Sequence, residues 1–222
     1  MTDEITNVQI ISYSQPDVPF VQDIQELVAF CARVSNPSNQ LNAETSEKLI
    51  RYLIKHQHWS PLEMVSVCLE ITTTRDIARQ ILRHRSFSFQ EFSQRYAVVD
   101  NEFEYREARL QDEKNRQNSI SVDDDILQND WKFHQSRVIS AAKEAYTWAI
   151  ENGIAKEQAR AVLPEGLIQS RMYMNGTLRS WIHYCDLRCS NGTQKEHREV
   201  ALSARSELVS YFPFLQDTLE AQ

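Results

Sequence analysis

A chain of 222 residues carries 24 Lys and Arg against 31 Asp and Glu, and the formal net charge of -7 argues against a protein that coats nucleic acid through its overall field. Apolar residues at 41% and charged residues at 25% sit near the globular average, which sets aside disordered and fibrous architectures in favour of one sizeable domain over residues 1–222. No apolar run reaches the length of a membrane span, the opening MTDEITNVQI lacks the basic-then-apolar order of a secretory leader, and Cys31, Cys68, Cys185 and Cys189 form no C-x-x-C pair, so the expectation is a cytoplasmic chain without membrane contact, disulfides or zinc.

Taken along the chain, residues 7–15, NVQIISYSQ, read as a short strand from their Val and Ile content, and residues 23–35 as an amphipathic helix. NPSN at 36–39 breaks the pattern. Residues 43–57 place Leu49, Leu53 and Ile54 at helical spacing, Ser60 and Pro61 punctuate the chain beyond that helix, and residues 63–73 read as a strand. Residues 74–83 predict a helix in which Ile77, Ala78, Ile81 and Leu82 fill one arc while Arg75, Arg79 and Arg83 recur every four residues opposite. Carried further, that helix would bring His84 and Arg85 onto the apolar arc, so it is expected to end near Arg83.

Beyond it, SFSFQEFSQRYAV at 86–98 alternates well enough for an extended segment with Glu91, Ser93 and Arg95 on one side. Those three suit a nucleotide: a carboxylate accepts from a sugar hydroxyl, while a hydroxyl and a guanidinium hold a phosphate. Neither common Gly-rich phosphate loop is present, so phosphate binding would fall to Arg and Ser, and the skew of 17 Arg to 7 Lys hints at local anion pockets. Residues 100–125 are charged and aperiodic, and are expected to form a solvated excursion.

Residues 131–153 give the longest helical pattern, stopped by Asn152 and Gly153. A short helix runs to Val162 before Pro164, then come a strand at 167–174, a helix at 175–188 and a last helix at 194–211 before Pro213. On the 175–188 helix, His183 faces away from Leu178, Trp181, Ile182 and Cys185 and is available to a ligand, a geometry that a solvated helix face explains about as well. This order suggests a small sheet packed against several helices, with the strand order left open.

Two other readings use some of the same residues. The Arg face with Phe87, Phe89 and Phe92 interleaved beyond it suits a nucleic-acid-binding module, which the net charge opposes. A phosphate-ester hydrolase would need a metal-ligand cluster that the spacing does not offer, since His56 and His58 share a face only on an extended backbone.

Arg83, His84 and Arg85, followed after seven residues by Ser93, with Glu91 two before that Ser and Arg95-Tyr96 after it, resemble the signature of the flavin-dependent thymidylate synthases of the ThyX type. HWSPLE at 58–63 is similar to the family's His-x-Ser/Thr-Pro-x-Glu, ARAVLP at 159–164 to its Ala-Arg-x-x-Leu-Pro, and GTLRSWIHYCDLR at 176–188 to its Arg-containing helix ending in a second Arg. Gln90 and Thr177 stand where the family commonly has Asn, and SNGTQKEH at 190–197 departs from its pattern.

The resemblance implies an α+β fold, a small antiparallel sheet packed against several helices in a single catalytic domain. It implies methylation of dUMP to dTMP with FAD, NADPH and methylenetetrahydrofolate, in a homotetramer with sites at subunit junctions and no nucleic acid or membrane partner. By the same resemblance, Gln80, Arg83, Glu91, Ser93, Gln94, Arg95, Arg160 and Arg188 would hold dUMP, with Ser93, Arg95 and Arg160 at the phosphate and Arg188 catalytic beside the uracil. His58, Ser60, Glu63, Arg83, His84, Arg85, Gln90, Glu91, Thr177, Arg179 and His183 would hold FAD, and no metal is implied.

Overall fold

The computed structural model describes residues 7–99 and 103–220, the side chain of Glu220 apart; residues 1–6, most of the stretch tested for a leader, and 100–102, where the expected excursion begins, lie outside them. In chain order the elements are β1 (Asn7–Tyr13), α1 (Ile24–Ala32), α2 (Ser46–Lys55), β2 (Ser66–Thr74), α3 (Arg75–Ile81), β3 (Ser88–Glu91), β4 (Arg109–Gln111), β5 (Ser119–Ser121), α4 (Asp125–Glu151), α5 (Lys156–Ala159), β6 (Gln169–Thr177), α6 (Leu178–Arg188), α7 (Lys195–Tyr211) and α8 (Gln216–Glu220). Among the described residues, no helix is long and apolar enough to cross a membrane.

Four strands pair antiparallel in the order β1-β2-β6-β3. Alternation sets the buried face: Val67, Leu69 and Ile71 of β2 point to one side, and the register brings Gly176, Met174 and Met172 of β6 beside them. Ile10 and Val8 of β1 and Phe89 of β3 extend that face across the sheet. Against it pack Ile77, Ala78 and Ile81 of α3, Leu178, Trp181 and Ile182 of α6, and Val200, Ala201, Ala204 and Leu208 of α7, forming one core. Trp181 is wholly buried, and its indole N–H donates to the Val67 carbonyl at 2.9 Å, so its polar atom is satisfied inside the core.

Phe87 fixes how β3 leaves α3. Its ring stands edge-on to Trp181 with centroids 4.8 Å apart, and a Cβ at Gly176 would lie 2.4 Å from it. Only glycine leaves room for that ring, which places Phe87 in the core and removes it from the aromatic ladder a nucleic-acid module would need.

Three expectations are corrected. The cationic face of α3 does not form: Arg75 is buried, 3.3 Å from Glu91, Arg79 pairs with Glu165, and of the three only Arg83 is exposed with no ion pair among the described residues. The extended run does not reach Arg95, because β3 ends at Glu91 and the backbone turns there, with Tyr96 and Ala97 N–H groups donating to the Ser93 carbonyl. Glu91, Ser93 and Arg95 therefore do not share one strand face.

The 100–125 segment is also more structured than its composition suggested. Leu110 and Ile120 pair in the β4-β5 hairpin, Ala108 is buried, and the Asp124 carboxylate caps α4 by accepting from Ile126 and Leu127 N–H at 3.0 Å each. The α4 helix accordingly starts at Asp125, six residues before the predicted 131, and stops after Glu151, with Asn152 as its C-cap and Gly153 beyond it at φ of 73°, as the Asn-Gly stop predicts.

Candidate active site

Helix α6 gathers two sets of predicted residues. Its first turn is capped by the Thr177 hydroxyl, which accepts from Ser180 N–H at 3.2 Å. Asn caps a helix equally well, so the departure at Thr177 keeps the local structure. Next to it Arg179 pairs with Glu63, His183 lies against Trp59 with ring centroids 4.4 Å apart, and the Ser180 hydroxyl donates to the Ser86 carbonyl at 3.2 Å. The turn holding His58, Ser60 and Glu63 thus flanks the start of α6, and the turn holding Arg83 to Ser86 runs alongside the helix, with Ser86 at its start and His84 near its end. His58, Ser60, Arg83, Arg85, Gln90 and His183 are exposed, and Arg83 and Arg85 have no ion-pair partner among the described residues. Uncompensated guanidiniums beside a hydroxyl and an imidazole fit the pyrophosphate of a dinucleotide such as FAD. Arg179 and Glu63 spend their charges on each other.

The C-terminal end of α6 carries the second set. Arg188 donates through Nε to His84 Nε2 at 2.9 Å, leaving the two terminal nitrogens of the fork for a ligand, and no carboxylate pairs with it among the described residues. His84 stands edge-on to the Tyr184 ring at 5.0 Å. Behind it lies His197 of α7, wholly buried, with Nε2 3.2 Å from the Tyr184 hydroxyl and Nδ1 3.3 Å from Gln80 Oε1. Burial, reinforced by the Arg188 guanidinium, depresses His84 to about 4; burial, with Arg188 and His84 adding to it, depresses His197 to about 3.

Those depressed values carry a stability consequence. Unfolded imidazoles bind a proton near pH 6.5, whereas the folded pair stays neutral down to about 4, so the unfolded chain holds more protons in that window and stability falls as pH drops through it. Burial raises Glu104 and Glu199, which acts in the opposite sense, so the test is a difference. The thermal midpoint is expected to fall from pH 7 to pH 5 more steeply in the parent than in His84→Asn; equal slopes would show that His84 is not held neutral.

A third set sits where the chain turns after β3. Arg95 lies 3.3 Å from Glu157, Arg160 Nε donates to the Glu157 carbonyl at 3.4 Å, and Lys156 donates to the Tyr96 carbonyl at 3.0 Å. Arg95, Tyr96 and residues 153–157 line a cleft of about 450 Å³. Ser93 accepts from Arg95 N–H at 3.3 Å, and Gln94 is buried. Glu91 is committed internally, since its Oε1 accepts from Ser170 at 2.7 Å and lies beside Arg75. Among the described residues, no hydrogen bond or ion pair joins the Ser93, Arg95 and Arg160 group to the Arg188 and His84 group.

Sequence reasoning missed His197 and Tyr184. The signal was a lone His at the head of an apolar arc with Val200, Ala201, Ala204 and Leu208, in a segment otherwise set apart only as departing from the family pattern.

A family model described as thymidylate synthase complementing protein matches residues 18–214. The probable flavin-dependent thymidylate synthase of Paramecium bursaria Chlorella virus 1 is 45% identical over 214 residues, covering 96% of this chain and 99% of that protein. The flavin-dependent thymidylate synthase of Synechocystis sp. (strain ATCC 27184 / PCC 6803 / Kazusa) is 48% identical over 217 residues with the same coverages. In structure the chain is similar to the UMP/dUMP methylase PolB from Streptomyces cacaoi bound with 5-Br dUMP, with a TM-score of 0.83, 25% identity, and coverage of 97% of this chain and 95% of that one. With its Arg-His-Arg turn, its α6 arginines and a match along nearly the whole chain, the protein belongs to the flavin-dependent thymidylate synthase family.

Proposed function

We propose that this protein methylates dUMP to dTMP, with methylenetetrahydrofolate as one-carbon donor and NADPH as reductant. The observation that carries this reading is Arg188: a partly buried guanidinium, aimed by His84 and lacking a carboxylate partner among the described residues, in a family of thymidylate synthases. FAD, reduced by NADPH, supplies the hydride when bound. The residues present fit it, and His58, Ser60, Arg83, Arg85, Gln90, Thr177 and His183 would hold it, with the Arg179 and Glu63 pair among them.

The chain itself supplies orientation and charge. A uracil ring accepts a one-carbon unit at its 5-carbon only when that carbon is electron-rich, and Arg188 beside the ring amide favours the ionised ring. His84 holds the fork in place and stays neutral, so it adds no competing positive charge. Ser93, Arg95 and Arg160 take the phosphate, and Gln80, Arg83, Glu91 and Gln94 complete the nucleotide site. Ser93 serves as a phosphate ligand and not as a nucleophile.

A site completed by a second copy, in a homotetramer, belongs to the same reading. Ile126, Phe133 and Trp148 of α4, exposed by 76%, 61% and 59%, offer apolar surface for that assembly.

Titrating dUMP into FAD-reconstituted, dialysed protein tests the shared site. A flavin band that is retained and shifts saturably with dUMP is expected. A flavin that is retained but indifferent to dUMP would separate the two sites and overturn the reading.

A further inference from the structure

Arg109, Glu196, Gln194, Gln80, His197 and Tyr184 form an unbroken chain of hydrogen bonds across β4, α7, α3 and α6, and its charged end dictates the direction of each link. A carboxylate only accepts. Glu196 Oε1 accepts from Arg109 Nη2 at 2.5 Å, and its Oε2 accepts from Gln194 Nε2 at 2.9 Å. Burial alone would raise this carboxyl, but Arg106, its own backbone N–H, Gln194 and Arg109 outweigh burial and hold it below the usual range, keeping it ionised. With its nitrogen committed, Gln194 turns Oε1 to Gln80 Nε2 at 2.8 Å. Gln80 therefore presents Oε1 to His197 Nδ1 at 3.3 Å, so the proton of the neutral imidazole sits on Nδ1. His197 Nε2 is left to accept from the Tyr184 hydroxyl at 3.2 Å.

We propose that His197 is a positioning residue for the uracil nucleotide: its Nδ1–H, together with Gln194, holds the Gln80 amide so that the second Nε2–H is left for the substrate, and its Nε2 anchors Tyr184 behind His84 and Arg188. This rests on the reading of Gln80 as a nucleotide ligand. A purely structural role does not explain the residue. His197 heads the apolar arc of α7, where an aliphatic side chain would need no partner, and a buried imidazole is costly unless both nitrogens are bonded. Both nitrogens are bonded here, and both partners lead to predicted substrate contacts.

The test compares His197→Leu, His197→Asn, Gln80→Ala and the His197→Leu/Gln80→Ala pair in steady-state turnover of the FAD-loaded enzyme. Leaving the Gln80 oxygen unpaired in His197→Leu is expected to raise KM for dUMP about tenfold with a much smaller fall in kcat. His197→Asn keeps an amide N–H near the Nδ1 position and is expected to restore most of that loss. In the Gln80→Ala background, His197→Leu is expected to add little, because the two act through one contact.

An unchanged KM in His197→Leu alongside a raised KM in Gln80→Ala overturns the positioning role while leaving Gln80 in the site. No effect of Gln80→Ala overturns the reading of Gln80 itself, and the inference with it. A loss in His197→Leu that falls on kcat and that Asn does not restore marks a structural role and overturns the proposal. Nitrogen-15 spectra of histidine-labelled parent enzyme make the test independent of any variant's folding. A neutral His197 protonated on Nδ1 at pH 7 is expected, and a proton on Nε2 overturns the proposal.

Discussion

Replacing Arg188 with Ala is expected to lower kcat about 10²- to 10³-fold, the usual cost of removing one preorganised group that stabilises developing negative charge. The flavin retained after dialysis is expected to stay near the parent level. The reason lies in geometry: Arg188 leaves α6 at its last residue, is oriented through Nε by His84, and makes no ion pair that would share its charge among the described residues. Thr177 and Arg179, which fit the flavin, lie at the other end of the same helix. Loss of the guanidinium also removes one of the two causes that depress His84, so the imidazole is expected to titrate closer to its ordinary range in the variant. Full turnover in Arg188→Ala would take this residue out of the chemistry, and lost flavin with kcat per bound flavin unchanged would reassign it to the cofactor.

Arg95→Ala is expected to raise KM for dUMP about 10- to 100-fold while leaving kcat nearly intact, since a charge-assisted contact to a phosphate contributes about 1.5–3 kcal/mol. The fold should hardly notice the change. Arg95 makes an ion pair with Glu157 in which both side chains are about half exposed, and such pairs contribute only about 0.2–1 kcal/mol. Deoxyuridine, which lacks the phosphate, supplies the control: its weak binding is expected to be the same in parent and variant. An equal loss for both would mean that Arg95 shapes the site without touching phosphate.

The sequence exposed the elements better than it exposed their partners. The strand read at 63–73 and the apolar arc of α3 marked the core, because each reading rests on the residues of one element alone. The Asn152-Gly153 stop was equally plain, since only a left-handed residue ends the helix there. The partner of a side chain depends on residues far along the chain, and there the reading failed. Arg75 looked like one of three equivalent cations until β3 brought Glu91 to it, itself held by Ser170 of β6. The same held for the 100–125 stretch, whose charges looked solvated although Arg106 and Arg109 bury against Glu196 of α7. Its DDD run also hid a helix cap, because Asp124 reads as loop until Ile126 and Leu127 supply the donors.

For the site, the motif at 83–96 drew attention to the right turns, but not to the geometry that joins them. Glu91, Ser93 and Arg95 were grouped by a two-residue period that ends at Glu91. Arg188 and His84, 104 positions apart, meet only because α6 returns across the end of α3. His197 was invisible for the same reason: its importance lies in Tyr184 and Gln80, neither of which neighbours it in sequence.

Product formation decides most directly whether this chain is a thymidylate synthase: the FAD-reconstituted protein is supplied with dUMP, NADPH and methylenetetrahydrofolate, each is omitted in turn, and the nucleotides are separated by chromatography. Formation of dTMP is expected in the complete mixture, and none when flavin, reductant or folate is left out. Flavin-loaded protein that makes no dTMP in the complete mixture, or dTMP that accumulates without flavin, would contradict the proposed reaction.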